Sequence, residues 1–146
     1  MKNSVKRLLI AAAALVSSAA VHAEIAVVVH PDNPLASMTA EQVAAIYLGN
    51  DARLQPIDLP ESERFYHWFY YKVTGRDAVQ IKIRRARQLA QAVPPRIATN
   101  SVEAVRRVAA NKRAIAYVDQ RTVDASVKVV MTIQNPPLLD QLRAHD

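Results

Sequence analysis

The sequence predicts an α/β domain built on a mostly parallel sheet, and three observations lead there. Short apolar runs rich in β-branched residues alternate with segments of helical period, each roughly ten to fifteen residues long. The helical segments open on capping residues and close on glycine or proline. Beyond residue 23 there is neither an internal repeat nor a low-complexity stretch, so that part of the chain reads as one domain.

Taken in order, Ile25-Ala26-Val27-Val28-Val29 is a continuous apolar run, the pattern of a buried strand, and Pro31-Asp32-Asn33-Pro34 ends it with turn chemistry. Thr39 is placed to cap the first helix, Gln42 completes a capping box and Gly49 stops it, with Val43, Ile46 and Tyr47 as the apolar face. Leu54 to Leu59 is a second strand, ended by Pro60. An aromatic-rich helix is expected from Ser62 to about Thr74, stopped by Gly75. Asp77 would cap a third helix reaching about Ala92, with Val79, Ile83, Ala86 and Ala90 as its stripe and Lys82, Arg84, Arg85 and Arg87 alongside; Pro94-Pro95 breaks it. Arg96 to Thr99 is a short strand. Asn100 and Glu103 stand at capping-box spacing before a helix through about Asn111. Ala114 to Val118 and Val127 to Ile133 supply two more strands, and the tail after Pro136-Pro137 is expected as a short helix or a frayed end.

Residues 1–23 have the form of a cleavable secretory leader. Lys2, Lys6 and Arg7 are its positive start, Leu8 to Val16 its short apolar run, and Val21-His22-Ala23 its small-residue cleavage site. The run is too short to span a bilayer. The expectation is an exported periplasmic protein comprising residues 24–146, without a membrane span. Losing the cations Lys2, Lys6 and Arg7 lowers the formal charge from +6 to +3. That modest charge and the leader argue against nucleic acid as a partner. The chain has no cysteine, so it folds without disulfides and offers no thiolate to a metal.

Catalytic and metal signatures are missing from the sequence. His30, His67 and His145 have no helical-spaced histidine partner, and there is no nucleophile elbow, P-loop or dinucleotide fingerprint. With Gly49 and Gly75 as its two glycines, the chain cannot build a glycine-rich phosphate cradle. The expectations are therefore no catalytic residue, no metal and no cofactor. Two other features draw attention. Phe65-Tyr66-His67-Trp68-Phe69-Tyr70-Tyr71 is aromatic on nearly every side of a helix. Tyr66, Trp68 and Tyr70 are the candidate interaction surface for a protein partner or a homodimer, since aromatic anchors dominate interfaces. Arg84-Arg85-Ala86-Arg87, with Arg76 and Lys82, is a basic face that could meet anionic headgroups or an acidic partner, though such runs are more often solvated.

Three segments together resemble the phosphate-binding proteins of ABC transporters, a branch of the type II periplasmic binding proteins. They are Ile25 to Pro34 with Met38 to Gly49; Pro56 to Ser62 with Phe69 to Gly75; and Ser101 to Val105 with Ala109 to Val118. The last is similar to that family's "Val-Ala-x-Asn-Pro-Gly-Ala-Ile-Gly-Tyr-Val". The resemblance implies a single lobe of the fold, with about four to five strands flanked by helices, where the full-length proteins have two lobes around a cleft. It implies a non-enzymatic, solute-binding role, with an oxyanion of the phosphate kind as partner.

The same resemblance sets a test for the ligand site. The family grips phosphate with an "Arg-Ser-x-Gly-Ser-Gly-Thr" stretch at a helix start, where a guanidinium fork, hydroxyls and backbone N–H groups surround the anion. Here the aligned residues are Leu59-Pro60-Glu61-Ser62-Glu63-Arg64-Phe65. The arginine position holds Leu59, and the closing Ser-Gly-Thr is Glu63, Arg64 and Phe65. No ligand position carries over. Ser62 and Arg64, at a generic helix start, are the candidate ligand-binding residues, and Glu61 and Glu63 beside them would repel an anion. The alternative is an interaction or self-associating module with a degenerate ligand site.

Overall fold

The apolar run near the start of the chain becomes the middle of the sheet. In a computed structural model that describes residues 24–88 and 91–134, β1 (Glu24–Val29) lies between two antiparallel neighbours, and Ile25 to Val29 are all fully buried. Burial on both faces is why the run does not alternate. The expected leader, Ala90 of the expected stripe and the tail after Pro136 lie outside the described residues.

After β1 come α1 (Ala40–Tyr47), β2 (Gln55–Asp58), α2 (Arg64–Thr74), α3 (Ala78–Gln88), β3 (Arg96–Ile97), α4 (Ser101–Ala109), β4 (Ala114–Asp119), a 3₁₀ turn (Gln120–Thr122) and β5 (Lys128–Gln134). The strand order is β3-β2-β4-β1-β5. β2 pairs in parallel with β3 and β4, while β1 pairs antiparallel with β4 and β5. The α/β class and five strands agree with the sequence reading. The sheet itself is mixed rather than mostly parallel, because the helical crossovers that enforce parallel pairing connect only β2, β3 and β4. Register shifts between Val27 and Val28 where β1 meets β5, leaving Val130 without a register partner on β1. Its carbonyl instead accepts the N–H of Met38 at 2.9 Å, fastening the loop that leads into α1.

Local signals read well. Thr39 caps α1, its hydroxyl accepting from the Gln42 N–H while the Gln42 side chain accepts from the Thr39 N–H. Asp77 and Gln80 make the same reciprocal pair at the start of α3. At α4, Asn100 accepts from the Glu103 N–H, but the Glu103 carboxylate reaches one residue further back, to the Thr99 N–H at 2.6 Å, and pairs with Arg107. Those donors hold the Glu103 carboxyl down to about 2, from an ordinary 4.5.

The face of α3 departs from expectation. Ala78 and Ile81 are buried and Arg85 is turned inward, whereas Val79 and Ile83 are 64% and 48% exposed and Ala86 is exposed. The expected stripe therefore points outward. A buried partner for Arg85, described below, sets the rotation of the helix.

Both glycines adopt left-handed backbone, Gly49 at φ 79° and Gly75 at φ 68°. A Cβ on Gly49 would lie 2.9 Å from the Ala92 Cβ, while one on Gly75 would meet open space. Gly75→Ala should therefore cost roughly 1–2 kcal/mol from backbone strain. Gly49→Ala should cost more by roughly 1–3 kcal/mol of overpacking. Urea denaturation of the two variants checks this, and equal losses would contradict the close approach at Gly49.

Glu103 supplies a pH-dependent prediction. Its folded pKa is depressed, so its contribution is complete above about 4.5 and disappears as pH falls toward about 2. The stability gap between the wild type and Glu103→Gln should close across that window in acid titrations followed by circular dichroism.

Candidate functional site

At the end of β2 a carboxyl group is buried among aromatic rings. Asp58 is 2% exposed. Its Oδ1 accepts from the Leu59 N–H at 3.0 Å and from the Tyr117 hydroxyl of β4; its Oδ2 accepts from the Tyr70 hydroxyl of α2 at 2.7 Å and from Arg85 of α3 at 3.1 Å. Arg85 also donates to the Tyr70 oxygen and lies over the Tyr70 ring, while the Tyr117 oxygen accepts a second bond from the Leu59 N–H at 3.2 Å. Phe69 stacks on Tyr117 with centroids 3.8 Å apart, and Tyr47 of α1 meets both edge-on. The Tyr47 hydroxyl donates to the carbonyls of Ile57 and Ile115, bridging β2 and β4.

Burial pushes the Asp58 carboxyl above the ordinary carboxylate range, against the opposing pull of Tyr117, Tyr70 and Arg85. Burial also drives the Tyr47, Tyr70 and Tyr117 hydroxyls upward, with Asp58 adding to each shift, so all three stay protonated donors. Burial works against the Arg85 cation, but Tyr70 and Asp58 outweigh it and hold the guanidinium firmly charged. The carboxyl and the tyrosine hydroxyls are fully engaged, and the Nε–H of Arg85 is the buried donor in the cluster without a partner among the described residues. The cluster positions elements rather than offering reacting groups.

Beyond it lies the edge where the expected ligand residues stand. Pro60 to Glu63 forms a turn closed by the Glu63 N–H on the Pro60 carbonyl at 2.9 Å, which delays the helix to Arg64. The helix therefore begins two residues later than expected, with Glu63 as the N-cap residue, and its side chain makes no capping bond. Ser62 is exposed in the turn. Arg64 is exposed too, its guanidinium 4.5 Å from the Phe65 ring centroid. The structure thus brings Ser62 and Arg64 to one helix start but builds no enclosure from them. Leu59, at the position of the family's arginine, is buried in the core. Two ion pairs form nearby, Glu61 with Lys82 at 2.5 Å and Asp119 with Arg121 at 2.7 Å, while Glu63 and Arg64 make none among the described residues. Arg121 lowers the Asp119 carboxyl, with Arg64 contributing from the start of α2.

The aromatic interaction surface is not presented as expected. Tyr66 and Tyr70 are buried, because α2 turns them toward α3 and the Asp58 cluster. Trp68 is half-buried under Lys72, and the exposed tyrosine on this helix is Tyr71, at 59%. Asp58 carries no motif signature in the sequence, and Arg85, which reads there as part of a solvated basic face, is instead turned inward to Asp58. The available signal was a single carboxylate inside Pro56-Ile57-Asp58-Leu59, a strand context that leaves a charge nowhere to go but a buried partner. Among the described residues no group of histidines and carboxylates is placed to hold a metal, and no helix is long and apolar enough to cross a membrane.

This architecture is a single α/β lobe of the type II periplasmic-binding-protein kind. The chain is similar to a protein from Clostridium perfringens assigned as a phosphate ABC transporter substrate-binding protein and solved with bound phosphate, at 26% identity and TM-score 0.60, over 74% of this chain and 45% of that one. It is also similar to an ABC-type phosphate transport receptor from Vibrio cholerae, at 19% identity and TM-score 0.58, over 84% of this chain and 52% of that one. A third similar structure is PstS from Borrelia burgdorferi, at 13% identity and TM-score 0.54, over 85% of this chain and 53% of that one. The chain thus spans about half the length of each. No protein-family model and no curated protein sequence matches it.

The cluster makes a graded prediction. Asp58→Ala leaves the Arg85 cation inside the fold without its partner and should cost about 3 kcal/mol, the lower end for a broken buried pair because Arg85 retains some solvent contact. Tyr117→Phe removes one hydrogen bond to the carboxyl and should cost roughly 1.5–3 kcal/mol. Chemical denaturation of the two variants measures both, and a neutral Asp58→Ala would show that the cluster does not hold the elements together.

Proposed function

We propose that this chain is an exported, non-enzymatic, solute-binding-type lobe, residues 24–146 acting in the periplasm after loss of the leader 1–23. Its solute is a small oxyanion of the phosphate class, met at the start of α2 by Ser62 and Arg64 in the service of uptake or sensing. The observation that carries this reading is the likeness of its fold to the phosphate-bound Clostridium perfringens structure.

Magnitudes set the strength of that contact. A helix start contributes roughly 0.3–1 kcal/mol to an adjacent anion, up to about 2 when partly buried. One charged hydrogen bond adds roughly 1.5–3 kcal/mol. Association costs on the order of 4–15 kcal/mol, and micromolar affinity requires about −8 kcal/mol. With Leu59 in place of the arginine and carboxylates at Glu61 and Glu63, binding on this lobe falls in the millimolar range or weaker.

Thermal shift on the exported protein, starting at Glu24, tests the reading at fixed ionic strength. Phosphate should raise the melting temperature at millimolar concentration, sulfate and chloride should not, and Arg64→Ala should abolish the effect. Absence of any phosphate shift overturns the reading, and so does a full shift at micromolar phosphate with Arg64→Ala unaffected. A dimer in sedimentation velocity, with no anion effect, would favour the self-associating module instead. Exposed Tyr71, beside half-buried Trp68 whose indole N–H has no partner among the described residues, is the observation on that side.

A further inference from the structure

β2, β3 and β4 run parallel, so the start of α2 lies at one end of them and a second feature lies at the other. A groove of about 770 Å³ opens where these three strands begin. Leu54 contributes to its apolar floor, and three arginines reach it from separate elements: Arg96 from β3, Arg107 from α4 and Arg113 from the turn before β4. Its volume falls in the range that holds small organic ligands.

The arginines differ in how far they are neutralised. Arg107 pairs with Glu103 and donates to the Ile97 carbonyl at 3.1 Å. Arg113 reaches a carbonyl, that of Ala52 at 3.4 Å, but no carboxylate among the described residues. Arg96 makes neither an ion pair nor a side-chain hydrogen bond among the described residues. The carboxylate on the groove wall, Asp51, is engaged by Arg53 at 2.7 Å. The closing carbonyls of α4 bring partial negative charge to this end, offset by Arg106 and Arg107 in its last turn. Two guanidiniums without carboxylate partners among the described residues thus line a concavity of mixed polarity whose floor includes Leu54.

We propose that this groove binds a small organic anion with an apolar body, its carboxylate, sulfonate or phosphate-ester head meeting Arg96 and Arg113 and its body resting on the floor at Leu54. Guanidinium forks suit planar or tetrahedral oxyanion heads, and an inorganic ion would leave the floor unused. The site is separate from the start of α2, so it stands or falls independently of the reading given there.

The test is an NMR titration of the ¹⁵N-labelled exported protein with naphthalene-1-sulfonate, its neutral counterpart naphthalene-1-methanol, and inorganic phosphate. The sulfonate should give saturable shifts at the amides of Leu54, Asn111 and Arg113. The neutral compound should bind about tenfold more weakly, and the double variant Arg96→Gln/Arg113→Gln should lose about tenfold in sulfonate affinity. Both arginines are exposed, so an unchanged melting temperature will show that the variant is folded. Inorganic phosphate should leave these amides in place whether or not it perturbs Arg64. Failure of the sulfonate to saturate, shifts confined to α2, or equal affinity for the neutral compound would each overturn the proposal.

Discussion

The Asp58 carboxyl governs the arrangement of this lobe. A buried carboxyl must be supplied with donors from nearby, and here they come from β2's own continuation, β4, α2 and α3. Meeting that demand fixes which way α2 turns its tyrosines and which way α3 rolls. A buried charge pair contributes little net stability compared with a well-packed apolar substitute, because desolvation offsets attraction. What it contributes here is specification. Apolar contacts alone would tolerate several rotations of a helix that is aromatic nearly all round, but four directional bonds to one carboxyl do not.

How legible each part was in the sequence follows the range of the interaction that decides it. Thr39 with Gln42, and Asp77 with Gln80, are decided within one helical turn, and both pairs form as read. Ser62 was misplaced by a neighbour almost as close, since the Pro60 turn consumes the residues that would have begun the helix. The face of α3 was misread because two stripes fit its period, and the choice rests on Arg85 meeting Asp58 across 27 residues. Strand direction is equally remote: nothing in Ile25 to Val29 announces that both neighbours run opposite to it. The groove was invisible for the same reason, its walls coming from stretches around Leu54, Arg96 and Arg113 that share no motif.

The parallel strands also separate charge along their length. At their ends, around the start of α2, Glu61, Glu63 and Asp119 accompany Arg64 and Arg121, and the ion pairs formed there leave little field for a ligand. At their beginnings, guanidiniums gather faster than carboxylates. The fold resembles that of phosphate-transport proteins, yet two of this chain's exposed arginines, Arg96 and Arg113, stand at the opposite pole from the start of α2. Shape and charge in this lobe therefore give different indications of where an anion is received, and each is physically independent of the other.

The cluster at Asp58 constrains what protein engineering could recover here. Grafting the Arg-Ser-x-Gly-Ser-Gly-Thr loop onto positions 59–65 would do more than restore missing donors. An arginine at Leu59 would have to leave a packed core position directly beside a carboxyl that already commands four donors, and that carboxyl would be the new guanidinium's nearest anion. The grafted side chain would be captured by the scaffold before any solute arrived. Retrofitting the loop would require dismantling the anchor first.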